Sequence, residues 1–213
     1  MKPQQFTPFS LSRWIFDSFW GWLLGIIVIL ILSSLLDSIG IENLQFYVGI
    51  GVITGMSFAQ YRHIRRYFHF NISWMIWSIL SFSMPFVLID GIKHYGLYSF
   101  SQNPLMLCVI LATFTVSLTQ YLLLKKSMPY PWSWCIFSII GWSLAGIATL
   151  ALEYTPSLTH NNMIVFIINV ILILSGGIFI GIFTGLAARK ILTTTETIHL
   201  TSFSSTVYAF FMA

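Results

Sequence analysis

GVITGMSFAQYRHIRRYFHFNISWMIWSILSFSMP, residues 51–85, decides the fold. It reads as an apolar helix ending in Ser57, Gln60 and Tyr61, a basic turn at Arg62, Arg65 and Arg66, and a second apolar helix opening at Trp74. Sixty positions later the same elements return as Ser117, Gln120 and Tyr121, then Lys125 and Lys126, then Trp134. Ser73, Ile76, Ser78 and Ile79 likewise reappear as Ser133, Ile136, Ser138 and Ile139. So dense a match at one fixed offset marks an internal repeat, which governs the reading of everything else.

The repeat extends backwards. Trp14, Ser18, Gly21 and Trp22 stand sixty positions before Trp74, Ser78, Ser81 and Phe82, which precede Trp134, Ser138, Gly141 and Trp142 by the same interval. At about 100° per residue these side chains share one helix face, continued by Gly25, Pro85 and Ala145. The even-numbered helices pair through Gln60 and Gln120. In the sixth, Thr184 occupies the Gln position, beside a stripe of Gly177, Gly181 and Gly185.

Composition sets the solvent. Of 213 residues, 57% are apolar and only 8% charged, against roughly 25% charged in soluble domains. A spanning helix needs about 20 apolar residues, and the sequence predicts six such spans: 14–36, 45–61, 73–89, 104–124, 132–152 and 163–188. The predicted fold is therefore all-α: a polytopic membrane protein with six transmembrane helices, arranged as three parallel two-helix repeats with pseudo-three-fold symmetry. One transmembrane domain covers residues 1–192, with repeats at about 12–61, 72–121 and 132–190. Residues 193–213, rich in Thr and Ser, read as a loose cytoplasmic tail.

Charge sets the orientation. In the six-span layout nine of the ten Lys and Arg residues fall on one side and only Lys93 on the other. By the positive-inside rule both termini face the cytoplasm, consistent with a bacterial inner membrane. The net charge of +4 belongs to these turns, so no nucleic-acid partner is implied.

Chemistry is sparse. The five histidines fall in predicted turns or the tail, so no span offers a haem ligand, and no mid-membrane lysine could carry retinal. No metal is implied, and no cofactor can be named. Asp17 and Asp90 lie near span ends, within reach of water. Cys108 and Cys135 read as buried small side chains. Gln60, Tyr61, Arg65, Arg66, Gln120, Tyr121, Lys125, Lys126, Trp74 and Trp134 are candidates to hold a lipid or other hydrophobic ligand, by donors and charge at one membrane face. Gly21, Gly25, Gly51, Gly55, Gly177, Gly181 and Gly185 are candidate helix-packing positions, where backbones approach closely.

The Gly-x3-Gly-x4-Gln-Tyr unit followed by a basic pair and Trp, as in Gly51 to Trp74, resembles hairpins of uncharacterised multi-spanning bacterial membrane proteins. That resemblance covers five of the six spans and implies a membrane bundle without implying an activity. The expected role is a non-enzymatic accessory or interaction module whose partners are membrane lipids, another membrane protein or a second copy of the chain. The alternative is a small transporter or channel, motivated by parallel repeats and by Thr113, Ser117, Thr119, Asn169 and Ser175 inside spans. An intramembrane enzyme using Asp17 or Asp90 is the third reading.

Overall fold

A computed structural model describes residues 9–41, 44–65, 71–96, 104–125, 128, 131–159 and 161–212, with side chains as far as residue 194. Among these residues all regular structure is helical. The long helices are α1 (Leu11–Ser38), α2 (Phe46–Ile64), α3 (Ser73–His94), α4 (Pro104–Lys125) and α5 (Trp132–Leu150). A 3-10 turn at Ala151–Tyr154 and the one-turn α6 (Thr155–Leu158) lead into α7 (Asn162–Met212).

Local chemistry sets the ends. Ser10 accepts the Arg13 amide at 3.4 Å and caps α1. That helix stops in a left-handed Gly40 (φ +77°), with the Ile41 amide bonding the Leu36 carbonyl and the Gly40 amide bonding Asp37. Asn161 Oδ1 accepts the amides of Met163 and Ile164 to start α7. The start of α2 is capped from another helix: Asp90 Oδ2, on α3, accepts the Gln45 and Phe46 amides at 2.7 Å each. Asp90 is only 6% exposed, which corrects the expectation that it reaches water. The first turn of α2 has no side-chain cap of its own, and a carboxylate at a helix N-terminus satisfies otherwise orphaned amides. Asp90→Ala is expected to cost about 1–2 kcal/mol, with Asp90→Asn recovering most of it because an acceptor oxygen remains. Unfolding curves in mixed detergent micelles check this.

The long helices form a closed ring in which each packs on the helix before and after it, and α7 completes the circuit against α1. Large apolar side chains cover the outside, including Leu30, Ile31, Leu80, Val87, Leu118, Ile147 and Ile171. Five helices, α1, α3, α4, α5 (extended through Leu158) and α7, are long and apolar enough to cross a membrane. The α2 helix is 19 residues long but more polar, with Thr54, Ser57, Gln60, Arg62 and His63 along it. Most of it is enclosed by its neighbours, so it needs little lipid-facing surface.

Of the segment read as a loose tail, residues 193–212 continue α7 as helical backbone. Past Gly185 no Gly or Pro interrupts the chain, and the Thr193 and Thr194 hydroxyls bond back to the carbonyls of Arg189 and Lys190; Thr and Ser lower helix propensity by only tenths of a kcal/mol. A further expectation is corrected: His63 lies within α2 rather than in a turn.

Between the helices the interior is layered. Along α1 the buried residues run Trp14, Ser18, Trp22; along α3 they run Trp74, Ser78, Phe82; along α5 they run Trp134, Ser138, Trp142. The first of each set joins one apolar cluster, with Ile64, Leu124 and Ala188. The third joins a second cluster, with Met56, Phe86, Val116 and Ile180. Polar side chains separate the two. Cys108 and Cys135 are buried and unpaired with each other.

Candidate functional site

The polar layer and the tryptophans beside it form at the basic end of the ring. Trp14, Trp74 and Trp134 are each 1% exposed. The Trp134 ring lies edge-on to Trp14 (6.1 Å between centroids) and to Trp74 (5.6 Å), the favoured geometry for aromatic quadrupoles. A buried indole N–H needs an acceptor. Trp134 Nε1 donates to Gln120 Oε1 at 2.9 Å, and Gln120 Nε2 donates to Ser78 Oγ at 3.0 Å. Trp14 Nε1 donates to Thr184 Oγ1 at 3.0 Å, so Thr184 on α7 does for Trp14 what Gln120 on α4 does for Trp134. Ser117 and Ser138 bond across α4 and α5 at 3.1 Å. Gln60 is 3% exposed, and its Nε2 has no hydrogen-bond partner among the described residues.

A hydrogen-bonded Asp–His pair lies beside this layer. Asp17 Oδ2 on α1 meets His63 Nδ1 on α2 at 2.8 Å. The imidazole is 2% exposed and packs edge-on against Trp14 at 5.2 Å, whereas Asp17 is 36% exposed. The two helices come this close because small residues face each other below the pair. A methyl group on Gly21 would lie 2.6 Å from the Ala59 Cβ, and one on Gly25 would lie 2.9 Å from the Val52 Cα. Gly51 and Gly55 meet the α1 backbone directly. Gly177, Gly181 and Gly185 do the same service for α7, against Trp22, Ile15 and Trp14.

Asp17 opens on a groove of about 290 Å³ between α1 and α2. Gly21 and Ala59 line it together with Phe16, Trp20, Leu24 and Phe58, and Arg62 completes its wall. A second groove, of about 340 Å³, lies between α5 and α7, where Lys190 and Thr194 join Trp132, Ser133, Ile136, Phe137 and Ile191.

The sequence-predicted ligand residues divide by location. Trp74, Trp134, Gln60 and Gln120 are closed inside the ring. Tyr121, 7% exposed, packs against Trp132 with ring centres 4.5 Å apart and planes tilted by 34°. Arg65 and Lys125 are exposed, and the Arg65 guanidinium lies 5.9 Å from the centre of the Tyr61 ring. Arg66 and Lys126 lie outside the described residues. Sequence reasoning missed His63, which looked like part of a basic turn. A signal was available: sixty positions on, His63 and Ile64 fall on Leu123 and Leu124, which lie within the fourth predicted span. No protein-family model, curated protein sequence or solved structure matches the chain.

Proposed function

We propose that the chain is a six-span protein of a bacterial cytoplasmic membrane, three parallel hairpins about a pseudo-three-fold axis, acting as a non-enzymatic module that holds lipid or a partner membrane protein. The equivalent indole bonds of Trp14 and Trp134, and the one-face alignment of 14/74/134, 18/78/138 and 22/82/142, support the three-fold reading. The basic side chains at one end of the ring support a cytoplasmic placement of that end. A cysteine placed at Arg65 or Lys125 is expected to resist an impermeant thiol reagent in intact cells and to react in inverted vesicles. Labelling in intact cells overturns the orientation.

One observation carries the functional reading: the hydroxyls a transport path would need are buried and bonded to protein, while the grooves open outwards. Thr113 and Ser117, the residues that would line a transport path, are 2% and 0% exposed. Their hydroxyls bond the Val109 carbonyl and Ser138. A conduit needs polar groups facing water, whereas these face protein. Native mass spectrometry from a mild detergent is the test. A retained lipid or partner subunit supports the module; a bare monomer that carries solute flux in proteoliposomes favours the transporter instead.

A further inference from the structure

Resting on the lipid-holding reading above, we propose that the groove between α1 and α2 binds the head group of an aminophospholipid of the phosphatidylethanolamine type, with Asp17 taking the ammonium and Arg62 the phosphate. The groove carries one acidic and one basic side chain on otherwise apolar walls. Those two do not pair with each other: Asp17 is held by His63 through Oδ2, and its Oδ1 and the Arg62 guanidinium have no partner among the described residues. A zwitterion with an ammonium and a phosphate complements that pattern. Deeper along the groove, Leu24 and Phe58 continue it with apolar surface suited to an acyl chain.

The repeat gives an independent reason to assign these residues to a ligand. In the register set by the Trp134–Gln120 and Trp14–Thr184 bonds, Asp17 corresponds to Trp77 and Phe137, Arg62 to Leu122 and Leu186, and His63 to Leu123 and Ala187. The chain thus builds the same hairpin twice with apolar residues at all three positions. An ionisable residue within a membrane helix is a functional-site hypothesis by default. Here Asp17 and Arg62 occur together, in one hairpin, on one groove. His63 is a positioning residue, fixing the Asp17 carboxylate from inside the ring.

The chemistry discriminates among lipids. Phosphatidylcholine has a phosphate but no N–H to donate to Asp17, and phosphatidylglycerol has no cation at all. The delipidated full-length protein, titrated with each of the three at matched acyl chains and followed by native mass spectrometry, is expected to retain phosphatidylethanolamine roughly tenfold better than the other two, the effect of one charge-assisted hydrogen bond. Asp17→Asn should erase that preference. Arg62→Gln, at an exposed position, should weaken retention of all three by a similar factor. The triple variant Asp17→Phe/Arg62→Leu/His63→Leu takes its side chains from the other hairpins; it should keep wild-type helicity and lose selectivity. Equal retention of the three lipids by the wild type, or a preference unchanged in Asp17→Asn, overturns the head-group assignment while leaving the lipid-holding module standing. Retention of no lipid and no partner subunit overturns both.

Discussion

Gly55→Leu is expected to abolish the packing of α1 on α2 and leave little folded protein in detergent. Even the first carbon of a side chain at this position meets the Gly21 carbonyl oxygen and the Gly25 backbone. Neither can swing aside as a side-chain tip would. The helices must part instead, and parting them breaks the Asp17–His63 bond and opens the neighbouring Gly51 contact. Overpacking a core costs about 1–3 kcal/mol where side chains can adjust, and more where they cannot. Gly55→Ala should therefore already cost about 3 kcal/mol, at the top of that range. The control has the opposite sign. Gly91, within α3, has no atom within 4 Å of where a methyl would sit, and Gly91→Ala should stabilise by about 0.4–1 kcal/mol through the unfolded chain. Thermal or SDS-titration midpoints distinguish the two. Tolerance of Gly55→Leu would mean that α1 and α2 do not touch as described.

Gln120→Leu is the second change expected to have a large effect. Gln120 is 1% exposed and bonds two helices at once, accepting from Trp134 and donating to Ser78. Leucine fills similar volume but leaves a buried indole N–H and a buried hydroxyl without that partner. Each orphan costs about 1–3 kcal/mol in a dry interior, although interhelical bonds in membranes average nearer 0.6 kcal/mol because the unfolded chain finds substitutes there. The double-mutant cycle with Trp134→Phe separates these cases. If the bond matters, Trp134→Phe should cost less in the Gln120→Leu background than alone, because the orphaned N–H is removed with it. Strict additivity would show that the amide contributes by shape only. The same substitution at Gln60 should cost less, since its Nε2 has no partner to lose among the described residues.

The two substitutions also mark how much of the fold is legible in the amino-acid sequence. The Trp and Ser face was legible because Trp14 and Ser18, Trp74 and Ser78, and Trp134 and Ser138 recur at one fixed spacing, and the structure buries all six along α1, α3 and α5. Glycine contacts were legible because spacing by four in an apolar helix leaves few other uses. Four features were hidden for physical reasons. Asp90 caps a helix that begins 44 residues before it in sequence, and no local rule anticipates an acceptor delivered from another helix. His63 was disguised by its neighbours: HIRR has the composition of a turn, and only burial by α1 makes its helical position tolerable. The helical course of α7 past residue 192 was obscured by polarity, which reports on solvent more than on backbone. The Asp17–Arg62 groove needed the register between α1 and α2, which depends on the close approach at Gly21 and Gly55.

The ring closes between its first helix and its last, and this sets a timetable for assembly. Trp14 emerges 170 residues ahead of its acceptor, Thr184. At about 5–20 residues per second, translation leaves that indole waiting roughly 10–30 s for its own α7. During that interval the exposed flank of the first hairpin is complementary to the last hairpin of any finished or stalled neighbour. Exchange between chains at this seam is the expected error of such an architecture, and slower elongation should raise its frequency.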